Sequence, residues 1–384
     1  SCINGLNKSF EMLNIRKIET FITKEVKQDK TYSTIKSFLF LKMTTECGVE
    51  GWGEAFISNG SEKNVEELIH NLGKNKTHVN SINPSIFSNS IDLIDEQGAD
   101  FDLMCALSAF EMALWDISGK IQDKSLSGLF LESNKNTIQI YANTWSDIKF
   151  NNHDVLNNAI SQIDNNYDSI KIYPLQNRNV NEASLFVKEL RREIGESINI
   201  MIDLECPSDT SIPHALEKKI LDCNPFWYEE PIEGDNIFDL ATYKKASNFK
   251  IVTGEKQSGI KHFSSLINQN AADVLNPDIS AVGGITYMLK IASIAADHNI
   301  LVSPHCWNSM AVSGSAMMHV CNIIPNNERA EIFPEYMSFI KNFASPGFEI
   351  HSGEAILLDR PGLGVIIDEK ELRKLTHKYL FSNI

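Results

Sequence analysis

Residues 198–203 read Ile-Asn-Ile-Met-Ile-Asp, residues 226–230 read Phe-Trp-Tyr-Glu-Glu, and residues 251–255 read Ile-Val-Thr-Gly-Glu. Each is a short apolar run that ends in an acidic residue, and a helical pattern follows it. Five more short apolar runs, each followed by a helical pattern, bring the total to eight: residues 138–141, 169–173, 274–278, 301–305 and 330–333. Eight strand and helix units predict an α/β fold with a parallel (β/α)₈ barrel. A doubly wound sheet is disfavoured, because no Gly-x-Gly-x-x-Gly or Walker sequence occurs.

The part of the chain before the barrel has a different pattern. Residues 15–56 predict an antiparallel meander, and residues 62–122 are helical, with an apolar face that ends at Gly119. We therefore expect an α+β capping domain beside the barrel. The predicted boundaries are 1–136 for the capping domain, 137–345 for the barrel and 346–384 for a C-terminal segment that completes the cap.

Composition excludes several classes of partner. The 384 residues are 42% hydrophobic and carry a formal net charge of −15, which argues against nucleic acid or an anionic membrane surface as the main partner. No run approaches the roughly 20 apolar residues of a membrane span. The seven cysteines are scattered, with no Cys-x-x-Cys pair, and this usage predicts reduced thiols and a cytoplasmic location.

Polar residues recur where the predicted barrel strands end. Six of them follow one another at intervals of 23 to 27 residues, about one barrel unit each: Asp203, Glu229, Glu255, Asp278, His305 and Glu331. In a (β/α)₈ barrel, the carboxyl ends of all strands surround one active site. The spacing therefore predicts that these six side chains converge.

Three of the six are carboxylates on consecutive strands. Asp203, Glu229 and Glu255 would form a hard oxygen cage, which suits Mg²⁺, with Mn²⁺ as a substitute, whereas zinc prefers His or Cys. Only one of two consecutive strand residues can point into the site. We choose Glu229 and expect Glu230 to support it or to form a salt bridge.

The remaining polar residues suggest acid–base chemistry. Asp278 can orient His305, so that the free ring nitrogen acts as a base. Lys171 and Tyr173 alternate along the second strand and should both face the barrel mouth, where Lys171 would bind a substrate carboxylate or act as a second acid/base. A metal beside a base predicts removal of the proton next to a carboxylate through an enediolate.

Six short motifs occur in order along the chain: Ser-Ala-Phe-Glu-Met-Ala-Leu-Trp-Asp-Ile-Ser-Gly-Lys at 108–120, Ile-Met-Ile-Asp at 200–203, Trp-Tyr-Glu-Glu-Pro at 227–231, Gly-Glu at 254–255, Asn-Pro-Asp at 276–278 before Gly-Gly at 283–284, and Ser-Pro-His at 303–305. In combination they resemble the enolase superfamily, specifically its mandelate racemase-like branch. The resemblance extends from about Ile15 to the C-terminal region.

This resemblance implies roles for the converging residues. Asp203, Glu229 and Glu255 match the metal ligands, and the pair Asp278 and His305 matches the family's His/Asp dyad. Glu331 matches the acid that hydrogen-bonds the substrate carboxylate. The resemblance also implies a small carboxylate substrate and a homo-oligomer, either a dimer or an octamer.

Departures from the family pattern bear on the reaction. Mandelate racemase-type members carry Lys-x-Lys on the second strand, but Tyr173 replaces the second lysine here. Galactonate dehydratase-like members carry a histidine where Glu205 stands, and the sixth-strand lysine of muconate-lactonizing members is absent. With one clear base, we expect dehydration of a sugar acid, an aldonate or aldarate, to a 2-keto-3-deoxy acid.

Two other functions stay open. A racemase, epimerase or lactone cycloisomerase acting on a 2-hydroxy or sugar acid is possible if Tyr173 or Lys171 supplies a second acid/base. A non-catalytic descendant of the barrel is the minor alternative. Cap loops near residues 31–33 and 56–62 should select the substrate, but residue spacing does not predict which substrate they select.

Overall fold

An antiparallel sheet forms the first layer of the computed structural model, which describes residues 14–26, 36–58, 60–75, 82–132, 136–146, 152–307 and 311–384. Residues 1–11 and the predicted cap loop at 31–33 lie outside the described residues. The sheet contains β1 (Ile15–Thr23), β2 (Leu39–Thr45), β3 (Glu50–Ala55) and the last strand of the chain, β16 (Thr376–Asn383), in the order β16-β1-β2-β3. The predicted meander is confirmed.

Within the described residues of this part of the chain there are four helices: α1 (Glu62–Lys74), α2 (Pro84–Glu96), α3 (Phe101–Gln122) and α4 (Leu126–Phe130). Helix α3 packs directly on β3, because Gly53 has no side chain: a Cβ there would lie 1.9 Å from the carbonyl oxygen of Ala109. The predicted end of the apolar face at Gly119 is confirmed, because Gly119 is the last buried residue of α3. The helix continues to Gln122, and Gly119 serves close packing, since a Cβ there would lie 2.6 Å from the Cα of Gly362.

The eight predicted runs all form parallel strands of one barrel: β4 (Thr137–Asn143), β5 (Ser169–Ile172), β6 (Asn199–Asp203), β7 (Trp227–Glu229), β8 (Ile251–Thr253), β9 (Val274–Leu275), β10 (Leu301–Val302) and β11 (Ala330–Ile332). The first and last strands pair, with Ala330 opposite Ile140. Between β10 and β11, the backbone of Val302 bonds Asn326 and Glu328. Five buried side chains fill the barrel interior: Tyr141, Met201, Trp227, Val252 and Val274.

One helix follows each barrel strand: α5 (Asn152–Asp164), α6 (Val180–Ile194), α7 (Ser211–Ile220), α8 (Ile237–Ala246), α9 (Ile260–Asn268), α10 (Gly284–Asp297), α11 (Val312–Ile323) and α12 (Pro334–Ile340). A 3₁₀ turn, Leu221–Cys223, extends α7. Local chemistry sets the start of α6, where Asn179 and Glu182 form a capping box. Among the described residues, no helix is both long enough and apolar enough to cross a membrane.

The C-terminal segment contacts both halves of the molecule. It follows β12 (Ala344–Ser345) and contains β13 (Phe348–His351), β14 (Glu354–Leu357), β15 (Ile366–Ile367), which pairs with β12, then α13 (Glu369–Leu375) and β16. The β13–β14 hairpin pairs with the beginning of β4, where Ala355 lies opposite Ile138. Strand β16 pairs along the whole of β1. The segment therefore joins the barrel sheet first and the capping sheet last.

Candidate active site

The eight predicted site residues lie at one end of the barrel. Asp203 and Glu229 are the last residues of β6 and β7, and Glu331 lies within β11. The other five lie near the carboxyl ends of their strands. Lys171 is one residue before the last residue of β5 and Tyr173 one residue after it. Glu255 is two residues past the end of β8, and Asp278 and His305 are each three residues past the ends of β9 and β10. Parallel pairing aligns these ends, since Asp203 lies opposite Glu229 and Asp278 opposite His305.

Three carboxylates form a group that fits a divalent cation. One oxygen from each of Asp203, Glu229 and Glu255 lies within 4.8 Å of the other two. Burial and the neighbouring carboxylates raise the pKa of Glu229 well above its ordinary range; burial and the charge of Asp203 raise that of Glu255 to about 7, although His305 opposes the shift. An all-oxygen cluster whose charges repel one another is a suitable donor set for Mg²⁺.

Glu229 is held in place from three directions. Its Oε1 accepts hydrogen bonds from Lys171 Nζ at 2.8 Å and Asn276 Nδ2 at 2.9 Å, and its Oε2 accepts one from Trp227 Nε1 at 3.1 Å. Trp227 is two residues earlier on the same strand, so both side chains point into the barrel. Glu229 therefore has little rotational freedom.

Lys171 is a buried cation surrounded by carboxylates. Its Nζ lies 2.8 Å from Glu229 Oε1, 2.8 Å from Glu331 Oε1 and 3.5 Å from Asp203 Oδ2. Burial alone would lower the pKa of Lys171, but Glu229 and Glu331 outweigh it and raise the pKa well above the ordinary value. Lys171 is therefore a fixed positive charge and a poor base.

His305 and Asp278 form a hydrogen-bonded pair. Nδ1 of His305 lies 2.9 Å from Asp278 Oδ2, while Nε2 lies 3.3 Å from Glu255 Oε2 and 3.9 Å from Glu331 Oε2. Burial would lower the pKa of His305, but Glu255, Glu331 and the hydrogen bond that the ring donates to Asp278 raise it to about 10. Asp278 is itself fixed by two bonds from Ser280. The ring thus presents Nε2 to the carboxylate cluster.

Glu331 accepts hydrogen bonds on both oxygens. Oε1 accepts from Lys171 and from Asn143 Nδ2 at 2.6 Å, and Oε2 accepts from the backbone of Cys306 at 2.7 Å. Burial would raise the pKa of Glu331, but Lys171 and His305 outweigh it and lower the pKa. An ionised Glu331 accepts hydrogen bonds, whereas the bond to a substrate carboxylate that the family resemblance implies would require its proton.

Tyr173 shares a partner with Glu331. Its hydroxyl oxygen accepts a hydrogen bond from Asn143 Nδ2 at 2.7 Å. Burial raises the pKa of Tyr173 well above its ordinary range, although Lys171 opposes the shift. The phenol therefore keeps its proton and serves better as a hydrogen-bond donor than as a base.

Glu230 accepts hydrogen bonds from the residues that directly precede Glu255, the third candidate metal ligand. Its Oε1 accepts bonds from Thr253 Oγ1 at 2.8 Å and from the amide of Gly254 at 3.1 Å, and its Oε2 lies 2.9 Å from Cys206 Sγ. Among the described residues it forms no salt bridge within 4 Å. We expected Glu230 either to support the metal ligands or to form a salt bridge. The structure shows hydrogen bonds between Glu230 and the strand that leads to Glu255.

An open cavity of about 460 Å³ leads to these groups. Polar groups on its lining include Asp203, Glu205, Glu255, Lys256 and His305, and its apolar walls are aromatic: Phe56, Phe101, Trp145 and Trp307. Phe56 belongs to the second cap loop predicted to select the substrate.

Sequence reasoning missed three polar residues. Asn143 ends β4, 28 residues before Lys171, so the spacing of one barrel unit was a usable signal. Asn276 lies in the Asn-Pro-Asp motif, but its bond to Glu229 spans two strands. Lys256 directly follows Glu255 outside strand β8, where alternation no longer predicts the direction of a side chain.

Comparison with known families agrees with this geometry. Residues 17–130 match the N-terminal domain of the mandelate racemase / muconate lactonizing enzyme family, and residues 154–371 match the enolase C-terminal domain-like family. The chain therefore belongs to the enolase superfamily, in its mandelate racemase-like branch.

Individual relatives are similar over most of their length. The chain is 26% identical to a D-gluconate/D-galactonate dehydratase of Picrophilus torridus, covering 91% of each chain. It is also 26% identical to a D-galactonate dehydratase of Cronobacter sakazakii, over 89% of this chain and 92% of the relative.

Solved structures share the fold. An enolase from environmental sequencing of the Sargasso Sea is 39% identical, with a TM-score of 0.94 over 98% of this chain and 100% of its own. A 3,6-anhydro-D-galactonate cycloisomerase from Zobellia galactanivorans is 23% identical, with a TM-score of 0.84 over 95% and 100% of the two chains. At that identity the similarity concerns the fold alone.

Proposed function

We propose that this protein is a Mg²⁺-dependent hydro-lyase that dehydrates a sugar acid, an aldonate or aldarate, to a 2-keto-3-deoxy acid. The observation that carries the proposal is a single oriented base, His305, whose Nε2 faces the cluster of Asp203, Glu229 and Glu255. The dehydratase names of the two relatives support the same class of reaction.

The three carboxylates would hold the metal. Bound there, Mg²⁺ would supply positive charge beside the substrate carboxylate and so favour loss of the neighbouring proton. Lys171 adds a fixed positive charge to the same region, because its Nζ contacts two of the site's glutamates. Together these charges would offset the negative charge that develops on the carboxylate.

His305 would carry the proton through the whole reaction. As a base, it takes the proton from C2 of the substrate; once protonated, it gives that proton to the hydroxyl leaving C3, which departs as water. The enol that remains tautomerises to the 2-keto-3-deoxy acid. Each sugar acid is thus converted to one 2-keto-3-deoxy acid and one water. Asp278 fixes the ring through Nδ1 and stabilises its charged form.

The direct test is a screen of aldonic acids, aldaric acids and sugar lactones with Mg²⁺ present. We expect a 2-keto acid product from at least one acid, and none when the metal is removed with a chelator. Epimerised substrate without 2-keto product would favour the racemase or epimerase alternative. An altered lactone without 2-keto product would favour a cycloisomerase. Tight Mg²⁺ binding with no turnover across the library would favour a non-catalytic barrel.

A further inference from the structure

The wall of the active-site cavity carries a lysine that the proposed chemistry does not use. Lys256 lines the same cavity as Asp203, Glu255 and His305, and its side chain is exposed. Among the described residues, no carboxylate lies within 4 Å of its Nζ. It is the one lysine or arginine among the described residues that line this cavity.

Two carboxylates whose charges act on Lys256 are already engaged. Both oxygens of Glu230 have partners, namely Thr253 and Gly254 on one and Cys206 on the other. Glu255 contacts His305 and belongs to the candidate metal cluster. Lys256 therefore lies in an acidic environment without a direct ion-pair partner.

The two lysines of the site occupy different places. Lys171 is fully buried below the cavity, bonded to Glu229 and Glu331, and would face the reacting carboxylate. Lys256 faces the open cavity. Glu205 lies on the same lining and would repel a second negative charge, so binding one there requires a cation. Lys256 is placed to supply that cation.

We propose that Lys256 binds a second carboxylate, at the end of the substrate away from the metal, so that the preferred substrate is a dicarboxylic sugar acid. This inference rests on the proposed function and narrows its substrate class from aldonates and aldarates to aldarates. An ammonium donates to a carboxylate more strongly than to a neutral hydroxyl, particularly inside a partly enclosed cavity.

Two matched substrate pairs isolate the contribution of that carboxylate. D-Glucarate and D-gluconate differ only at C6, which is a carboxylate in one and a hydroxymethyl group in the other; galactarate and D-galactonate differ in the same way. For the Mg²⁺-loaded enzyme, we expect kcat/KM to favour the dicarboxylate of at least one pair on the order of 10- to 100-fold.

Variants connect the preference to Lys256. Lys256→Gln should reduce the ratio of the two kcat/KM values toward one, mainly through KM of the dicarboxylate, whereas Lys256→Arg should retain the preference. Lys261→Gln removes an exposed lysine of α9 and should change neither value. Thermal unfolding of each variant separates loss of binding from loss of folding.

Two results would overturn the inference while leaving the proposed function intact. One is a higher wild-type kcat/KM for the monocarboxylate than for the dicarboxylate in both pairs. The other is an equal decrease of kcat/KM for both members of a pair in Lys256→Gln. Absence of turnover across the whole acid library, these four acids included, would count against the proposed function. In that case, calorimetric titration of D-glucarate and D-gluconate into the Mg²⁺-loaded protein tests Lys256 separately, and equal affinities would refute its role.

Discussion

At the scale of single residues, the identity of the base separates dehydration from racemisation. Racemisation needs a base on each face of the α-carbon, whereas dehydration needs one. Lys171 is surrounded by carboxylates that keep it protonated, and Tyr173 is a buried phenol whose raised pKa keeps it neutral. Burial lowers the pKa of His305, but Glu255 raises it more than any other group does, and a cation bound to Glu255 would offset that effect. His305 is therefore the best candidate base of the three, which favours the one-base reaction.

Substitution of the histidine pair should separate proton transfer from orientation. We expect His305→Asn to lower kcat on the order of 10²- to 10⁴-fold, because positioned general-base catalysis contributes about that much. Asp278→Asn should lower kcat less than His305→Asn does, since Asp278 acts by orienting the imidazole ring of His305. Steady-state rates of both variants under saturating Mg²⁺ test this, and equal losses would contradict the division of roles.

The pH dependence of the rate should move in a definite direction. A base works when deprotonated, so kcat/KM should rise with pH as His305 loses its proton. The carboxylates around His305 raise its pKa, and Asp278 contributes through a hydrogen bond. Asp278→Asn removes one negative charge, so the rising part of the profile should shift to lower pH. A shift to higher pH would contradict the assigned electrostatics.

Sequence spacing predicted residues at strand ends and missed residues fixed by contacts across strands. Asp203 and Glu229 were predictable because each ends a recognisable apolar run, and Glu331 because it lies one barrel unit, 26 residues, after His305. Asn276 orients Glu229 from another strand, and Lys256 follows the end of its own. Neither position has a periodic signal in one sequence, since its direction depends on loop geometry.

At the scale of elements, one carboxylate links the capping sheet to a barrel helix. Oε2 of Glu54, on β3, accepts three hydrogen bonds at the start of α11, from the amides of Val312 and Ser313 and from the Ser313 hydroxyl. Oε1 of Glu54 has no hydrogen-bond partner among the described residues. Burial raises the pKa of Glu54 to about 8 despite these bonds, and the charge of Asp278 adds to the shift.

This carboxylate should make folding stability depend on pH. A raised pKa means that the folded state holds the proton more tightly than the unfolded chain, whose ordinary value is 4.5. The free energy of unfolding should therefore fall as pH rises from about 5 to 8, by up to about 4 kcal/mol if Glu54 acts alone. Glu54→Gln cannot ionise and should flatten this part of the curve.

Unfolding midpoints of both proteins between pH 5 and 9, measured without metal, test the link. Parallel curves for wild type and Glu54→Gln would show that Glu54 does not titrate in this range. Glu111, which bonds the start of α10 and whose pKa burial raises to about 7, makes a second contribution of the same sign. Some slope should therefore persist in the variant.

The elements themselves followed from sequence periodicity, but their ends did not. All eight barrel strands were predicted, yet β9 and β10 have only two residues each. The polar residues predicted at those strand ends, Asp278 and His305, lie in the loops beyond and are aligned by a single bridge between them. The close packing of Gly119 against Gly362, 243 residues later, likewise could not be predicted from local sequence.

At the scale of the whole molecule, the site concentrates negative charge that a cation would stabilise. Burial and like charge raise the pKa values of Glu229 and Glu255, so in the metal-free protein their ionised forms destabilise the folded state. Metal bound to the folded state alone adds stability by mass action, about 2.7 kcal/mol at a concentration of 100 times Kd.

Mg²⁺ should therefore raise the unfolding temperature of the wild-type protein by a few degrees, and a chelator should reverse the rise. Glu255→Ala should still unfold cooperatively, because its side chain lies outside the barrel core, but it should show neither the metal-dependent rise nor activity. Mn²⁺ should substitute for Mg²⁺ in both readouts. An equal Mg²⁺ effect on wild type and Glu255→Ala would contradict the ligand assignment.

The most direct test of the one-base mechanism follows exchange of the hydrogen on the α-carbon of the substrate. Wild type, His305→Asn and Tyr173→Phe are incubated in D₂O with Mg²⁺ and an acid that the wild type consumes, and NMR records deuterium uptake at that carbon and 2-keto product. We expect Tyr173→Phe still to exchange hydrogen or form product, and His305→Asn to do neither. If Tyr173→Phe abolishes exchange from one stereoisomer while His305→Asn abolishes it only from the other, two bases act and the protein is a racemase.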